Sequence, residues 1–326
     1  MRRSTALAVL ALTIFVLTSA VGLAQKPASQ PQQTREDIPQ KIGVLEVRLP
    51  ISVTEKSKFV PGLTVGNFEV YEDGKRQQIQ KFMSPSQLPL RIGLLMDTSN
   101  SVKLKLPFEK AAAEDFCATV TTPIRTNADN GAPYRRKDKL LFATFDSVVS
   151  LHVDFTDDLQ ALVRAIQKVK AGGYTRLYDA VYRVIEEKMA TLADADARRI
   201  IAVLSDGEDT ASERSLKEAI DIAQRYDVTI FGISTKNFKG TESGTVESGE
   251  DKNLRVLCEE TGGRVFLPSQ KVELFRAFTQ VERDLRQEYV LFYTPQNQSK
   301  TGKKREIRVK LVATEGRPYH KQGYSY

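Results

Sequence analysis

Cysteine and histidine are scarce in this 326-residue chain, with two of each: Cys117, Cys258, His152 and His320. So few ligands cannot build a Cys/His cluster, which excludes a zinc site of the usual composition. A Ser-His-Asp arrangement needs a histidine beside its nucleophile. His152 falls in an expected edge strand and His320 in the C-terminal tail, so no nucleophile–base pair emerges. Aromatics are sparse in the basic stretches YRRKDK (134–139) and SKTGKKREIRVK (299–310), and no nucleic-acid motif accompanies them. They read as a solvated face or as an attractor of anionic surface polymers, and nucleic acid is not an expected partner.

What is present begins with MRRSTALAVLALTIFVLTSAVGLAQ. Two arginines, an apolar middle, and small residues at Gly22 and Ala24 follow the order of a secretory leader, residues 1–24, cut after Ala24. The alternative is an uncleaved anchor, since Ala6 to Ala24 is just long enough to span a bilayer. Membrane contact is expected only through this segment. Loss of Arg2 and Arg3 with the leader lowers the formal charge from +7 to +5, so the remainder stays basic. The expected location is secreted or periplasmic, where a Cys117–Cys258 bridge is permitted. Both cysteines sit in expected helices among apolar residues, which fits two buried thiols equally well.

Residues 25–41, QKPASQPQQTREDIPQK, are polar, rich in Pro and Gln, and lack apolar periodicity, as a flexible linker does. Residues 42–87 read as a small β region in which Asp73-Gly74 separates alternating runs, a hairpin signal. From Leu88 to 287 the pattern alternates. Strands are expected at 91–96, 139–145, 148–155, 199–204, 228–233 and 264–267. Helices are expected at about 105–121, 157–170, 177–192, 215–226, 253–261 and 271–287. Continuous apolar strands such as RIIAVLS need cover on both faces, so the expected fold class is doubly wound α/β with a mostly parallel six-stranded sheet. Residues 288–326 return to strands. Neither terminal group can bury a core alone, so the two are expected to join as one small β-sandwich with the α/β domain inserted between its halves.

In such a sheet, of order 3-2-1-4-5-6, ligands bind beyond the carboxyl ends of strands 1 and 4. The first strand ends in LLMDTSNSV at Asp97, and the fourth ends in LSDGEDT at Asp206. The loop AGGYTRLYDAV adds Thr175 ahead of a helix. Spacing thus suggests an oxygen-lined pocket of Asp97, Ser99, Ser101, Thr175 and Asp206, suited to a hard cation: Mg²⁺, Mn²⁺ or Ca²⁺. Ser99 and Ser101, one residue apart, can turn two neutral hydroxyls onto one ion. Neutral donors leave its charge under-compensated and open to an outside anion.

Taken together, D-T-S-N-S, the glycine–threonine loop and S-D-G resemble the metal-ion-dependent adhesion site of von Willebrand factor type A domains. The flanking segments GLTVGNFEVYEDGKRQQIQKF and REIRVKLVATEGRPYHKQGYSY resemble exported bacterial proteins of that group. The resemblance covers roughly residues 43–326. It implies Ser99, Ser101 and Thr175 as metal-proximal hydroxyls, Asp97 and Asp206 acting directly or through water, and a protein partner offering an Asp or Glu carboxylate. Asn100 and Tyr174 stand where glycine is commoner, and are assigned to partner contact. The expected function is an exported, non-enzymatic binding module. The rivals are a metal-dependent hydrolase or phosphoryl-transfer enzyme, weakened because Ser99 occupies the place of a second Asp, and a structural envelope domain with an empty pocket. An aspartic protease would need a second Asp-Thr/Ser-Gly turn, which Asp206-Gly207 does not supply.

Overall fold

The computed structural model describes residues 46–56, 58–83, 88–121, 124–126, 133–135, 137–193, 197–205, 209–236, 249–299 and 302–325. The expected leader, the linker and Asp206 lie outside them. Five strands come first: β1 (Val47–Glu55), β2 (Lys58–Phe59), β3 (Phe68–Glu72), β4 (Lys75–Gln77) and β5 (Ile79–Met83). There follow β6 (Leu90–Asp97), α1 (Leu106–Thr121), the paired β7 (Ile124–Thr126) and β8 (Pro133–Arg135), β9 (Lys139–Phe145) and β10 (Val149–Thr156). Next are α2 (Leu159–Lys168), α3 (Leu177–Val184), β11 (Arg198–Ser205), α4 (Leu216–Arg225), β12 (Val228–Ser234) and α5 (Gly249–Glu260). The series ends with β13 (Val265–Phe266), α6 (Lys271–Arg286), β14 (Tyr289–Tyr293), β15 (Lys304–Leu311), β16 (Arg317–Tyr319) and β17 (Gly323–Ser325).

The central sheet runs β10-β9-β6-β11-β12-β13. Counted within the α/β region this is the order 3-2-1-4-5-6, parallel except for the antiparallel edge strand β10. Its middle strand is apolar because it has no wet face: all eight residues of β6 are buried. Ile92, Leu94 and Met96 pack with Phe116 of α1 and Phe278 of α6, whose ring centroids stand 5.0 Å apart. Leu95, Ile201 and Val203 pack on the other side with Val181 of α3, Ala223 of α4 and Leu257 of α5. Gly93 lets α3 approach closely, since a Cβ there would lie 3.3 Å from Met189 Cε and 3.4 Å from Val184 Cγ1. Cys117 belongs to the first core and Cys258 to the second, so the thiols sit on opposite faces of the sheet, both free and buried.

One helix departs from the expected form. The 177–192 pattern begins as α3 but widens at Ile185–Met189 into a π-type turn. The wider turn keeps Ile185 and Met189 buried, and Ala190 N–H closes onto Ile185 O at 2.8 Å.

Strands from both ends of the described chain form two further sheets, β16-β1-β14-β5 with β2 beside β1, and β17-β15-β3-β4. Their facing side chains, among them Leu49, Ile51, Val70, Tyr289, Tyr293 and Val309, make a third core, as the sandwich expectation requires. The β3–β4 hairpin turns through Asp73 (φ 48°) and Gly74 (φ 78°), the two positive angles of a tight hairpin turn. Buried charges meet beyond the amino ends of the central strands. Arg198 pairs with Glu288, tying β11 to the start of β14, and Arg286 pairs with Asp138 at 2.5 Å, tying α6 to the start of β9.

Candidate metal centre

Strands β6 and β11 lie side by side and parallel, so their carboxyl ends emerge together. Asp97 ends β6 fully buried, and both its oxygens are engaged. Oδ1 accepts the Ser99 N–H at 2.8 Å, a local turn that Asp favours, and Oδ2 accepts the Ser205 hydroxyl at 2.7 Å. The chain then folds into a tight turn at Asn100–Val102. Among the described residues, positive φ at non-glycine positions occurs only at Lys56, Asp73, Asp227 and Ala313, so Asn100 makes this turn without the left-handed conformation. Ser99 is buried and Ser101 exposed, yet their hydroxyl oxygens converge to 2.8 Å.

Three loops hold this turn in place. Thr98 is clasped to the end of β9, its N–H on Phe145 O at 2.9 Å and its hydroxyl on Asp146 Oδ2 at 2.9 Å. The glycine loop crosses over it, with Gly172 N–H on Thr98 O at 2.7 Å and Asn100 N–H on Gly173 O at 3.2 Å. Gly173 carries φ +88°, and a Cβ there would meet Ser147 Oγ at 2.6 Å, so glycine is required. The third loop follows β11. Thr175 N–H donates to Thr210 Oγ1 at 3.0 Å, and Thr175 O accepts from the N–H groups of Thr210 and Ala211, each at 3.0 Å. Asp209 fastens that loop to α3 by accepting Tyr178 N–H at 3.0 Å and the Ser212 hydroxyl at 2.6 Å.

Of the sequence-derived residues, Asp97, Ser99, Ser101 and Thr175 are thus brought to loops that bond to one another, with Thr175 buried and Tyr174 exposed beside it. Asp206 is outside the described residues; its predecessor Ser205 is the one bonded to Asp97. The roles of Ser205, Asp146, Asp209 and Thr210 were not foreseen. The available signal was position: Asp146 follows an apolar strand as directly as Asp97 ends one.

The donors fit a hard cation. Two oxygens in adjacent positions on an octahedral Mg²⁺, each about 2.0–2.1 Å from the ion, lie about 2.8–3.0 Å apart. The Ser99–Ser101 separation matches that spacing. No group of three His, Cys, Asp or Glu side chains converges among the described residues. The histidines are engaged elsewhere. His152 Nε2 lies 2.7 Å from Thr144 Oγ1 with the ring stacked on Phe142, and the His320 Nδ1–H donates to Lys321 O at 2.8 Å. Burial holds both imidazoles below the usual histidine range.

The von Willebrand factor type A domain matches residues 92–280, from β6 into α6. This chain belongs to that family. No curated protein sequence matches it. Among solved structures, the von Willebrand factor domain of the type V pili tip protein Mfa5 from Porphyromonas gingivalis is 12% identical, with a TM-score of 0.45 over 60% of this chain and 94% of that one. An aerotolerance-related membrane protein from Bacteroides fragilis is likewise 12% identical, TM-score 0.45, over 60% of this chain and 98% of its own. Proximal thread matrix protein 1 from the mussel byssus, solved with a zinc-occupied MIDAS motif, is 18% identical, TM-score 0.44, over 60% of this chain and 47% of its own. Within the family region, the Asp97 turn, the Gly172–Thr175 loop and the loop after β11 all lie at the carboxyl ends of the strands.

Proposed function

We propose that this von Willebrand factor type A protein is an exported binding module, not an enzyme, that grips a carboxylate of a partner protein through a divalent cation. Asp97, Ser99, Ser101, Thr175 and Asp206 would hold the ion, Mg²⁺ or else Mn²⁺ or Ca²⁺. Asn100 and Tyr174 would meet the partner from the rim. The single observation that carries this reading is the convergence of the Ser99 and Ser101 hydroxyls to 2.8 Å beside the buried Asp97 carboxylate. Two neutral hydroxyls and few anions leave a bound cation with residual positive charge and room for an outside oxygen. When bound, the ion supplies a Lewis-acidic position for that oxygen. The protein's own part is to keep the hydroxyls aligned, through the Ser99 N–H bond to Asp97 and the glycine-loop bonds to Thr98 and Asn100. The leader-like first 24 residues support a secreted or periplasmic location.

Calorimetry with Mg²⁺ and Mn²⁺ on the chain without its first 24 residues tests the reading. Saturable binding is expected, lost in Asp97→Ala and in Ser99→Ala/Ser101→Ala. The serine pair is included because removing the buried Asp97 also disturbs the fold. Binding that survives both variants, or absence of binding in the parent chain, refutes the site. Phosphoester turnover in Mg²⁺ would favour a hydrolase instead.

A further inference from the structure

Large apolar side chains are unevenly distributed over the surface. Seven are exposed among the described residues, and five of these border the loops around Asp97: Leu104, Phe108, Val148, Tyr174 and Val272. The other two, Val65 and Leu151, stand elsewhere. Isolated exposed apolar residues need no explanation, but a cluster around one site does.

Their places in the chain, with a few contacts, set the five around this end of the sheet. Leu104, 89% exposed, stands two residues past the Asn100–Val102 turn. Phe108 opens the next helical turn, its N–H on Lys105 O at 2.9 Å. Lys271 Nζ lies 5.1 Å from the Phe108 ring centroid, which brings the start of α6, and Val272 with it, beside the start of α1. Asn100 N–H bonds to Gly173 O, and the following Tyr174 N–H donates to Ser147 Oγ at 3.0 Å, next in the chain to Val148. Basic groups are interleaved with these: Lys103 and Lys271 are exposed and Lys105 is half-buried, while residues 98–108 contain no acid, the buried Glu109 lying just beyond them.

We infer that this rim is a docking surface for a protein segment whose carboxylate is flanked by apolar side chains and further acids. The carboxylate goes to the cation, the apolar neighbours cover Leu104 and Phe108, and the outer acids face Lys103, Lys105 and Lys271. Charge complementarity selects an acidic occupant. The apolar rim selects a peptide over a carboxylated polysaccharide, which would satisfy the ion and the lysines but leave Leu104 in water. This rests on the cation-dependent reading above and specifies the partner's chemistry.

Three synthetic peptides test it against the chain lacking residues 1–24 in Mg²⁺, read by fluorescence anisotropy. One has a central Asp between Leu and Phe with outer Glu residues, the second has Ser in place of Leu and Phe, and the third has Asn in place of the central Asp. The first is expected to bind at least tenfold more tightly than either other. Leu104→Ser should abolish its advantage over the serine peptide while Mg²⁺ calorimetry stays unchanged. Equal binding of the first two peptides, no binding of any while Mg²⁺ is bound, or indifference to Leu104→Ser overturns the docking surface and leaves the cation reading standing. Absence of Mg²⁺ binding overturns both.

Discussion

The Ser205 hydroxyl donates to Asp97 Oδ2 across 2.7 Å, joining the last residues of two parallel neighbours, β6 and β11. The bond fixes a fully buried carboxylate from the strand beside it. Hydrogen bonds to charged groups contribute about 1.5–3 kcal/mol. Ser205→Ala is therefore expected to lower unfolding free energy by about that range in urea titrations without metal, and to weaken Mg²⁺ binding. A loss within error of zero in both would show that Asp97 needs no such support.

The two glycines ahead of Tyr174 should respond differently to a methyl group. Gly173 has positive φ and Ser147 Oγ in the way, whereas a Cβ on Gly172 meets nothing within 4 Å. Gly173→Ala should destabilise by more than about 1 kcal/mol, while Gly172→Ala stays near the parent. Thermal melts of the pair decide the matter, and equal melting temperatures would contradict the geometry.

Arg198 and Glu288 face each other with almost no solvent access. Burial pushes Glu288 up and Arg198 down from their ordinary ranges, and the mutual attraction opposes both shifts. Removing one partner strands the other, so Arg198→Met should cost about 3–5 kcal/mol. The double variant Arg198→Met/Glu288→Leu should recover most of that loss in chemical denaturation. A double variant no better than the single one would show that the pair does not act as a unit.

His320 gives the fold a defined sensitivity to acid. Burial lowers its folded-state pKa, with the bond to Lys321 O opposing, so the unfolded chain takes up the proton first. The imidazole's contribution is fully present above an unfolded pKa of about 6.5 and is lost as pH falls through the lower folded value. Melting temperatures between pH 8 and pH 5 should fall more steeply for the parent than for His320→Gln. Parallel slopes would assign the acid sensitivity to other groups.

Much of this was readable from the chain because burial on both faces leaves a plain signature. LRIGLLMD and RRIIAVLS could only be covered strands, and helical periods between them forced parallel neighbours, so Asp97 and the end of β11 had to meet. The sandwich followed from two strand groups that each lacked a core. Other features are set by packing that no local pattern encodes. The π-type turn at Ile185–Met189 answers the need to bury Met189 against Gly93. The Thr98–Asp146 clasp depends on strand register, which brings Asp97 level with Phe145. Asn100 stands where glycine is commoner, yet the turn it opens uses no left-handed conformation.

The strands that lead into and out of the central region, β5 and β14, are themselves neighbours, with Met83 opposite Val290 and Phe82 opposite Leu291. Topologically they are a hairpin whose loop is the whole α/β fold. A disordered loop of that length would tax closure heavily, whereas a folded one delivers its two ends already together. The expected order of assembly is the parallel sheet first, with the sandwich closing behind it as a latch. Damage to the central core would then reach β1 and β15 as well, although neither strand belongs to that core.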